Sequence, residues 1–353
     1  MSADPRLGKK AVINSKSSRV NKAPVVTTLE MAFDLFYSAK RSEGLRERTL
    51  SDYRSYWRYF NEWLTKYGYD ITDVTQINPE LLREYLGYMT HDHKRYEDVE
   101  DRQKDGKALS NATVTSRLRA LQTMCKFWAE EDIVNENPAS RVKAPRHDTD
   151  DKTVFTDAQL DALLAAPDTG SYVGIRDRTA MLTLADTGLR INELLSLETS
   201  HIDFSARCIR LPAALNKNRK PRIIPLSPAV LRELLRLIQE TSAHFDTTFI
   251  FVSNYGEKLK PDHFRKQLRK YATMAGIDTK ETRISPHRFR DYFCTNYLVN
   301  GGDLFTLQRI VAHADVKTTQ GYVRPSEGAI RDNHAQFSPV SRLSKALAGK
   351  RRR

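Results

Sequence analysis

The sequence lacks the features of a membrane protein, of a secreted protein and of a disulfide-stabilised one. No segment approaches the roughly 18 consecutive apolar residues that a membrane-spanning helix needs, and the residues after Met1 are polar and basic, unlike a secretory signal. The cysteines Cys125, Cys208 and Cys294 are far apart and form no CxxC pair, which argues against a zinc site and is typical of small core residues in a reducing compartment. We therefore expect a cytoplasmic protein.

Two further absences concern cofactors. The sequence has no glycine-rich loop followed by Lys and Ser or Thr, the pattern that cradles nucleotide phosphates. The candidate catalytic residues described below include no cluster of carboxylates with the spacing of metal ligands. We expect no cofactor, no metal ion and no nucleotide hydrolysis.

Basic residues are in clear excess. The 57 lysines and arginines outnumber the 44 acidic residues and give a formal net charge of +13. Such a charge favours a polyanionic partner, with nucleic acid ahead of a membrane surface. The 353 residues are enough for two domains, each with a sizeable core.

The pattern along the chain predicts a domain order. Residues 1–24 mix basic and small polar residues without apolar periodicity, as expected of a flexible arm that either solubilises the chain or contacts phosphate. Residues 25–145 carry helical periodicity, and residues 146–154 indicate a linker. Residues 155–325 form a second domain, mainly helical with a small antiparallel sheet (α+β), and residues 326–353 form a C-terminal segment with a basic tail.

Four helices are predicted in the first domain. Their N-terminal signals are Thr27 with Glu30, Thr49 with Asp52, Asn78 before Pro79, and Ser110. The second helix places four apolar residues on one face: Tyr53, Trp57, Phe60 and Leu64. Helical spacing favours a core role for this face over a platform for stacking bases.

The second domain combines helices with short β-rich segments. Thr156 with Gln159 forms a capping box, and a helix over 175–185 stops at Gly188. The predicted strands are residues 208–211, 222–226 and 248–252, the first two flanking a basic loop at 216–221. Further helices begin at about Pro228, Pro261 and Pro286.

The first candidate for chemistry is the segment TGLRINEL at residues 187–194. Its glycine turns the chain and places Arg190 near a helix start, with Glu193 one turn later on the same face. Taken alone, this pair could equally be a surface salt bridge.

Two later segments add histidines, an arginine and a tyrosine. In SPHRFR at 285–290, His287 and Arg290 are three apart, hence on one face of a new helix at its anion-favouring N-terminal end. Further on, His313 precedes Tyr322 by nine positions, across a predicted helix end and a turn.

In this order, these segments resemble the tyrosine recombinase (phage integrase) family, which includes Xer-like recombinases and the integrases of phages and transposons. TGLRINEL resembles the family's first arginine box, HRFR its second box His-x-x-Arg, and AHADVKTTQGY its final stretch. Lys217 stands where the family's β-hairpin lysine is expected. The resemblance is close over residues 155–325; residues 25–145 resemble the helical core-binding (SAM-like) domain more loosely.

The resemblance implies a site-specific DNA recombinase that grips double-stranded DNA in a C-shaped clamp of two domains. Strands are cut and rejoined through a covalent 3′-phosphotyrosine link, as in DNA integration, excision or resolution. The implied catalytic residues are Arg190, Lys217, His287, Arg290, His313 and Tyr322, with Glu193 in support.

Each implied role suits its side chain. The two arginines are planar, permanently charged and able to grip the phosphate oxygens on which transition-state charge develops. Glu193 orients Arg190, and Tyr322 is the nucleophile. His287 is the candidate base, Lys217 the general acid for the departing 5′-oxygen, and His313 a hydrogen-bond donor to the phosphate.

The resemblance further implies a homotetramer on two DNA sites, or a heterotetramer with a related recombinase. Each subunit passes a C-terminal segment to a neighbour, although a helix docked on its own domain explains the same residues. The apolar candidates are Ile330, Phe337, Val340, Leu343 and Leu347. Whether a phage, transposon, plasmid or chromosome is served stays open.

Two residues depart from the family pattern. Asp291 replaces a common histidine after the second arginine, and Ala312 replaces the usual glycine before His313. Asp291 could weaken or retune the site by adding negative charge near the phosphate. Two other functions fit the same residues less well: a type IB topoisomerase, and a DNA-binding regulator that does not cut.

Overall fold

The protein is described by a computed structural model over residues 27–95, 106–145, 154–216, 218–278, 282, 284–312, 331 and 334–340. The chain divides into two compact units, Met1–Asp150 and Asp151–Arg353. The predicted basic arm and almost all of the predicted linker lie outside the described residues.

The first unit is helical in its described residues. Its α-helices are α1 (Leu29–Ser42), α2 (Glu47–Lys66), α3 (Pro79–Gly87) and α4 (Asn111–Glu130), and a π-helical turn, Tyr88–Asp92, follows α3. Asn78 and Ser110 cap their helices as predicted, each side chain accepting a backbone N–H. Thr28, not Thr27, caps α1, and the predicted start at Thr49 is wrong because α2 begins one residue after Arg46.

The predicted apolar face of α2 lies in an aromatic core. Trp57 and Phe60 are buried, and the Trp57 ring stacks on Phe33 with 5.5 Å between the ring centroids and 3° between the planes. Trp128 on α4 packs edge-on against Trp57 and donates its Nε1–H to the carbonyl of Ala32 at 2.9 Å. This face therefore stabilises the unit, and its rings are not available for stacking bases.

The second unit is mainly helical. Its helices are α5 (Asp157–Ala165), α6 (Tyr172–Thr187), α7 (Ile191–Leu194), α8 (Pro228–His244), α9 (Pro261–Met274), α10 (Pro286–Val299) and α11 (Leu304–Val311). The capping box of Thr156 and Gln159 is confirmed, as are the three starts at proline. The apolar helix α6 packs against both α8 and α10, and its buried residues form the centre of the core.

A small antiparallel sheet completes this unit. Its order is β1 (Ile202–Asp203), β2 (Cys208–Leu211) and β3 (Arg222–Pro225). The predicted strand at 248–252 is wrong: Phe249 and Val252 make isolated bridges to two different segments, so no continuous ladder forms. The fold class predicted from the sequence, mainly α with a small antiparallel sheet, is confirmed.

Two other expectations concern burial and hydropathy. All three cysteines are buried, as predicted for small core residues. In the ranges that the structure describes, no helix has the length and apolarity needed to cross a bilayer.

Candidate active site

The turn between α6 and α7 positions Arg190. Gly188 ends α6 in the left-handed conformation (φ 60°) and donates its N–H to the carbonyl of Leu184. A Cβ at this position would lie 2.6 Å from the ring of Phe293, so the turn requires glycine for space as well as for backbone angle. Arg190 then occupies the N-cap position of α7 with an extended backbone.

The carboxylate of Glu193 holds Arg190 at both ends. One oxygen accepts the Arg190 backbone N–H at 2.9 Å, and the other accepts Arg190 Nη1 at 3.0 Å. The Glu193 side chain is only 2 % exposed, whereas that of Arg190 is 29 % exposed. The predicted pair is therefore a half-buried support for Arg190 and not a surface salt bridge.

The second predicted arginine is almost fully buried. Arg290, in the second turn of α10, donates from Nη1 to the carbonyl of Gly188 at 2.7 Å and from Nη2 to the carbonyl of Val311 at 2.5 Å. Burial, aided by the neighbouring charge of Arg190, lowers the pKa of Arg290 to about 10. The guanidinium remains charged at neutral pH.

A third arginine, missed by the sequence reasoning, completes this group. Arg222, the first residue of β3, donates from Nη2 to Glu193 at 2.6 Å and from Nη1 to the Val311 carbonyl at 3.1 Å. Burial lowers the pKa of Arg222. The negative charge of Glu193 opposes this shift, and the positive charge of Arg190 adds to it. Strand alternation was the available signal, because Arg222 lies on the same face of β3 as the buried Ile224, while Ile223 between them is 59 % exposed.

These arginines converge on the C-terminal end of α11. The helix stops at Ala312, which adopts the left-handed conformation (φ 50°) at the position where the family usually has glycine. The Ala312 carbonyl accepts Arg190 Nη2 at 3.4 Å and Asn218 Nδ2 at 3.0 Å. Cations at a helix C-terminus are favourable, because its last carbonyls carry partial negative charge and lack helical partners.

His287 lies one turn before Arg290 on α10, but the two side chains differ in burial. The His287 side chain is 70 % exposed, and its Nε2 lies 3.8 Å from Oδ1 of Asp291. Asp291 is fully buried, and its Oδ2 accepts Arg288 Nη1 at 3.2 Å. Asp291, which departs from the family pattern, therefore lies close to both His287 and Arg288.

The structure thus brings together Arg190, Glu193 and Arg290 and adds Arg222. Lys217, His313 and Tyr322 lie outside the described residues. The residues flanking Lys217 and Ala312, the neighbour of His313, line a cleft of about 1300 Å³ whose other lining residues include Arg210, Lys220 and Arg309. Positive charge in excess of one carboxylate, at the edge of an open cleft, suits a phosphate group.

Comparison with known proteins gives the same family over most of the chain. The profile of the Phage integrase family matches residues 153–328, and that of the Phage integrase SAM-like domain matches residues 30–144. The tyrosine recombinase XerD of Shewanella oneidensis is 27 % identical over 302 residues, which cover 84 % of this chain and 93 % of that protein. XerD of Staphylococcus aureus is 28 % identical over 301 residues, covering 84 % of this chain and 94 % of that protein.

Solved structures of similar fold include the Tn1549 transposon integrase in complex with a circular intermediate DNA, at 19 % identity and a TM-score of 0.67, covering 89 % of this chain and all of that one. A lambda integrase dimer bound to a COC′ core site is 16 % identical with a TM-score of 0.62, covering 83 % of this chain and 97 % of that one. Taken with the two family profiles, these findings show that the chain belongs to the phage integrase family of tyrosine recombinases, enzymes that cleave and rejoin DNA strands.

Proposed function

We propose that this chain recombines specific double-stranded DNA sites and that Tyr322 is its nucleophile. The observation that carries the proposal is that Arg190 donates to the carbonyl of Ala312, 122 residues later, and Arg290 donates to the adjacent carbonyl of Val311, 21 residues later. Both predicted arginines thereby lie beside the point from which the chain continues to His313 and Tyr322.

The proposed reaction exchanges one phosphodiester for another. The phenolate of Tyr322 attacks phosphorus, a 3′-phosphotyrosyl bond forms, and the bond to the 5′-oxygen breaks. His287 accepts the phenol proton, Lys217 supplies a proton to the leaving 5′-oxygen, and His313 donates a hydrogen bond to a nonbridging oxygen. Attack by a 5′-hydroxyl of another strand reverses these steps and joins the strands, so no nucleotide is hydrolysed.

The arginines supply the charge stabilisation for this reaction. A phosphodiester repels anionic nucleophiles, and its transition state places more charge on the nonbridging oxygens. Arg190 keeps part of its side chain exposed to solvent, whereas Arg290 donates from a buried position. Because fixed guanidinium groups can take this role, we expect cleavage to proceed in the presence of a chelator.

The remaining features of the proposal concern assembly. We propose the domain order inferred from the sequence and a tetramer on two DNA sites that acts in the cytoplasm and serves a mobile genetic element. The exposed lysines and arginine of α9, Lys266, Arg269 and Lys270, suit contacts with the DNA backbone. In the described stretch 334–340, Phe337 and Val340 are 61 % and 58 % exposed, which supports delivery of this segment to a neighbouring subunit.

A covalent-adduct assay tests the function. Nicked duplexes drawn from DNA flanking the gene are mixed with the protein in EDTA, because the nick lets the released 5′-hydroxyl fragment diffuse away and traps the adduct. We expect a protein–DNA band on a denaturing gel for the wild type, none for Tyr322→Phe, and an unchanged band for Tyr255→Phe, whose tyrosine is 83 % exposed.

Both failures of this assay are informative. An adduct that persists in Tyr322→Phe contradicts the choice of nucleophile. If a gel shift shows binding but no DNA yields an adduct, the catalytic proposal is wrong and a DNA-binding regulator replaces it. Relaxation of supercoiled DNA without exchange between two sites would identify a topoisomerase instead.

A further inference from the structure

We propose that Arg222 is a positioning residue that keeps Arg190 available for the phosphate by sharing the carboxylate of Glu193. The inference rests on the proposed function, because it assigns a role within the same site. Arg222 itself does not touch the DNA in this proposal.

The contacts of Arg222 favour positioning over direct catalysis. Its side chain is 6 % exposed, and its two terminal nitrogens donate to Glu193 and to the Val311 carbonyl. Arg190, by contrast, is 29 % exposed and makes a short side-chain contact with Glu193 and a longer one, at 3.4 Å, with the Ala312 carbonyl. Of these two arginines, Arg190 is therefore the one that can exchange a partner for phosphate.

The charge balance gives Arg222 its function. A buried carboxylate paired with Arg190 alone would neutralise that guanidinium and compete with the phosphate for it. Arg222 takes one Glu193 oxygen at 2.6 Å, while Arg190 holds the other at 3.0 Å. Glu193 can then orient Arg190 by accepting the backbone N–H and Nη1 of that arginine, without cancelling the net positive charge of Arg190, Arg222 and Arg290.

The position of Arg222 also links two parts of the site. It begins β3, directly after the loop that contains Lys217, and it pairs with Leu211 across the hairpin. Through the Val311 carbonyl it is bound to the end of α11 as well. One side chain therefore connects the hairpin, the support of Arg190 and the helix that leads to His313.

The test compares single-turnover cleavage rates of nicked duplexes at saturating protein. Arg222→Met should lower the rate roughly 10- to 100-fold, as expected for loss of a residue that orients a reactive group, with DNA affinity close to that of the wild type. Arg222→Lys keeps the charge but cannot hold two acceptors in the same geometry, so its rate should be intermediate. Arg178→Met, which removes an arginine that pairs with Glu233 at 3.1 Å and does not line the cleft, is the matched control and should cleave like the wild type.

The decisive variant is the double substitution Arg222→Met with Glu193→Gln. If Glu193 closes onto Arg190 when Arg222 is lost, removing the glutamate charge should restore part of the rate of Arg222→Met. A merely structural role for Arg222 predicts no such recovery, because a second buried substitution only weakens the fold further.

Three results would overturn the proposal. They are an Arg222→Met rate equal to that of Arg178→Met, an Arg222→Lys rate equal to that of the wild type, and a double variant slower than Arg222→Met by the full factor of Glu193→Gln alone. A wild-type chain that forms no adduct overturns the proposed function and this inference together, whereas the three results above, with an active wild type, overturn only the inference.

Discussion

Arg290 donates a 2.7 Å hydrogen bond from Nη1 to the carbonyl oxygen of Gly188, 102 residues earlier in the chain. The left-handed glycine turns this carbonyl toward α10, so the turn that precedes Arg190 is tied to the helix that carries the second arginine. The relative placement of the two arginines therefore depends on main-chain geometry as well as on their side chains.

Replacing Arg290 by lysine should strongly reduce cleavage. Lysine keeps the charge but cannot donate to the Gly188 and Val311 carbonyls in the geometry of a guanidinium. We expect the single-turnover rate to fall roughly 100-fold or more, with DNA binding largely retained. Arg288→Lys, two residues earlier on the same helix and outside the cluster, should cleave at nearly the wild-type rate; equal rates for both variants would contradict the prediction.

Gly188→Ala should destabilise the protein and slow cleavage. The new Cβ would lie 2.6 Å from the Phe293 ring, and alanine would also have to adopt a left-handed backbone angle. Together these effects should lower the free energy of unfolding by about 1–3 kcal/mol. Gly276→Ala is the matched control, since its φ is also positive (67°) but no atom lies within 4 Å of its Cβ. Urea unfolding compares the two, and an equal loss of stability would mean that contact with Phe293 is unimportant.

Ala312→Gly should stabilise the protein. Alanine at φ 50° pays a left-handed penalty that glycine avoids, so the free energy of unfolding should rise by about 0.5–1 kcal/mol. Ala275, which ends α9 with an ordinary φ of −77°, provides the control, because Ala275→Gly should lower stability. A lower melting temperature for Ala312→Gly would show that its backbone is not strained.

The buried pair of Arg176 and Asp177 should be sensitive to loss of one partner. Both are at most 1 % exposed, and Asp177 also accepts the hydroxyl of Tyr271 at 2.9 Å. Asp177→Asn leaves the Arg176 charge uncompensated and should cost about 3–5 kcal/mol, part of which Arg176→Met in the same chain should recover. No recovery in urea unfolding would count against the charge argument.

The loss in Asp177→Asn should depend on pH. Burial raises the pKa of Asp177 above its usual value of 3.8, and the positive charge of Arg176 opposes this rise. A raised pKa means that, as the pH falls, the folded wild type takes up this proton before the unfolded chain does, which stabilises its folded state, whereas asparagine takes up no proton. The difference in unfolding free energy between the wild type and Asp177→Asn should therefore widen as the pH falls from about 8 to about 4; a difference that shrinks would reverse the assigned sign.

The sequence predicted those features that depend on a few neighbouring residues. Helix starts depend on contacts within one helical turn, so short sequence patterns predict them. The examples are Thr156 with Gln159, Ser110, and the prolines that begin α8 and α10. The prediction of a strand at 248–252 was wrong because β-propensity does not identify a pairing partner. The third strand of the sheet is β1 instead.

The candidate site divides in the same way. The local boxes located Arg190, Glu193 and Arg290, and the structure brings them together. Arg222 was missed because its role arises from contacts with Glu193 and Val311, which are 29 and 89 residues away and have no fixed spacing. The proposed roles of Lys217, His313 and Tyr322 stay predictions for the assays above.

The acceptors at the end of α11 belong to the main chain, since Val311 and Ala312 offer carbonyl oxygens to all three arginines. Exchanging the side chain at position 311 leaves that acceptor in place, so ordinary mutagenesis cannot remove it. Replacing the amide between Val311 and Ala312 by an ester, through chemical ligation, weakens the Val311 carbonyl as an acceptor while keeping every side chain. The side chains at positions 311 and 312 can therefore change while the carbonyl acceptors remain. The hydrogen bonds from the three arginines would still fix the point at which the chain leaves α11.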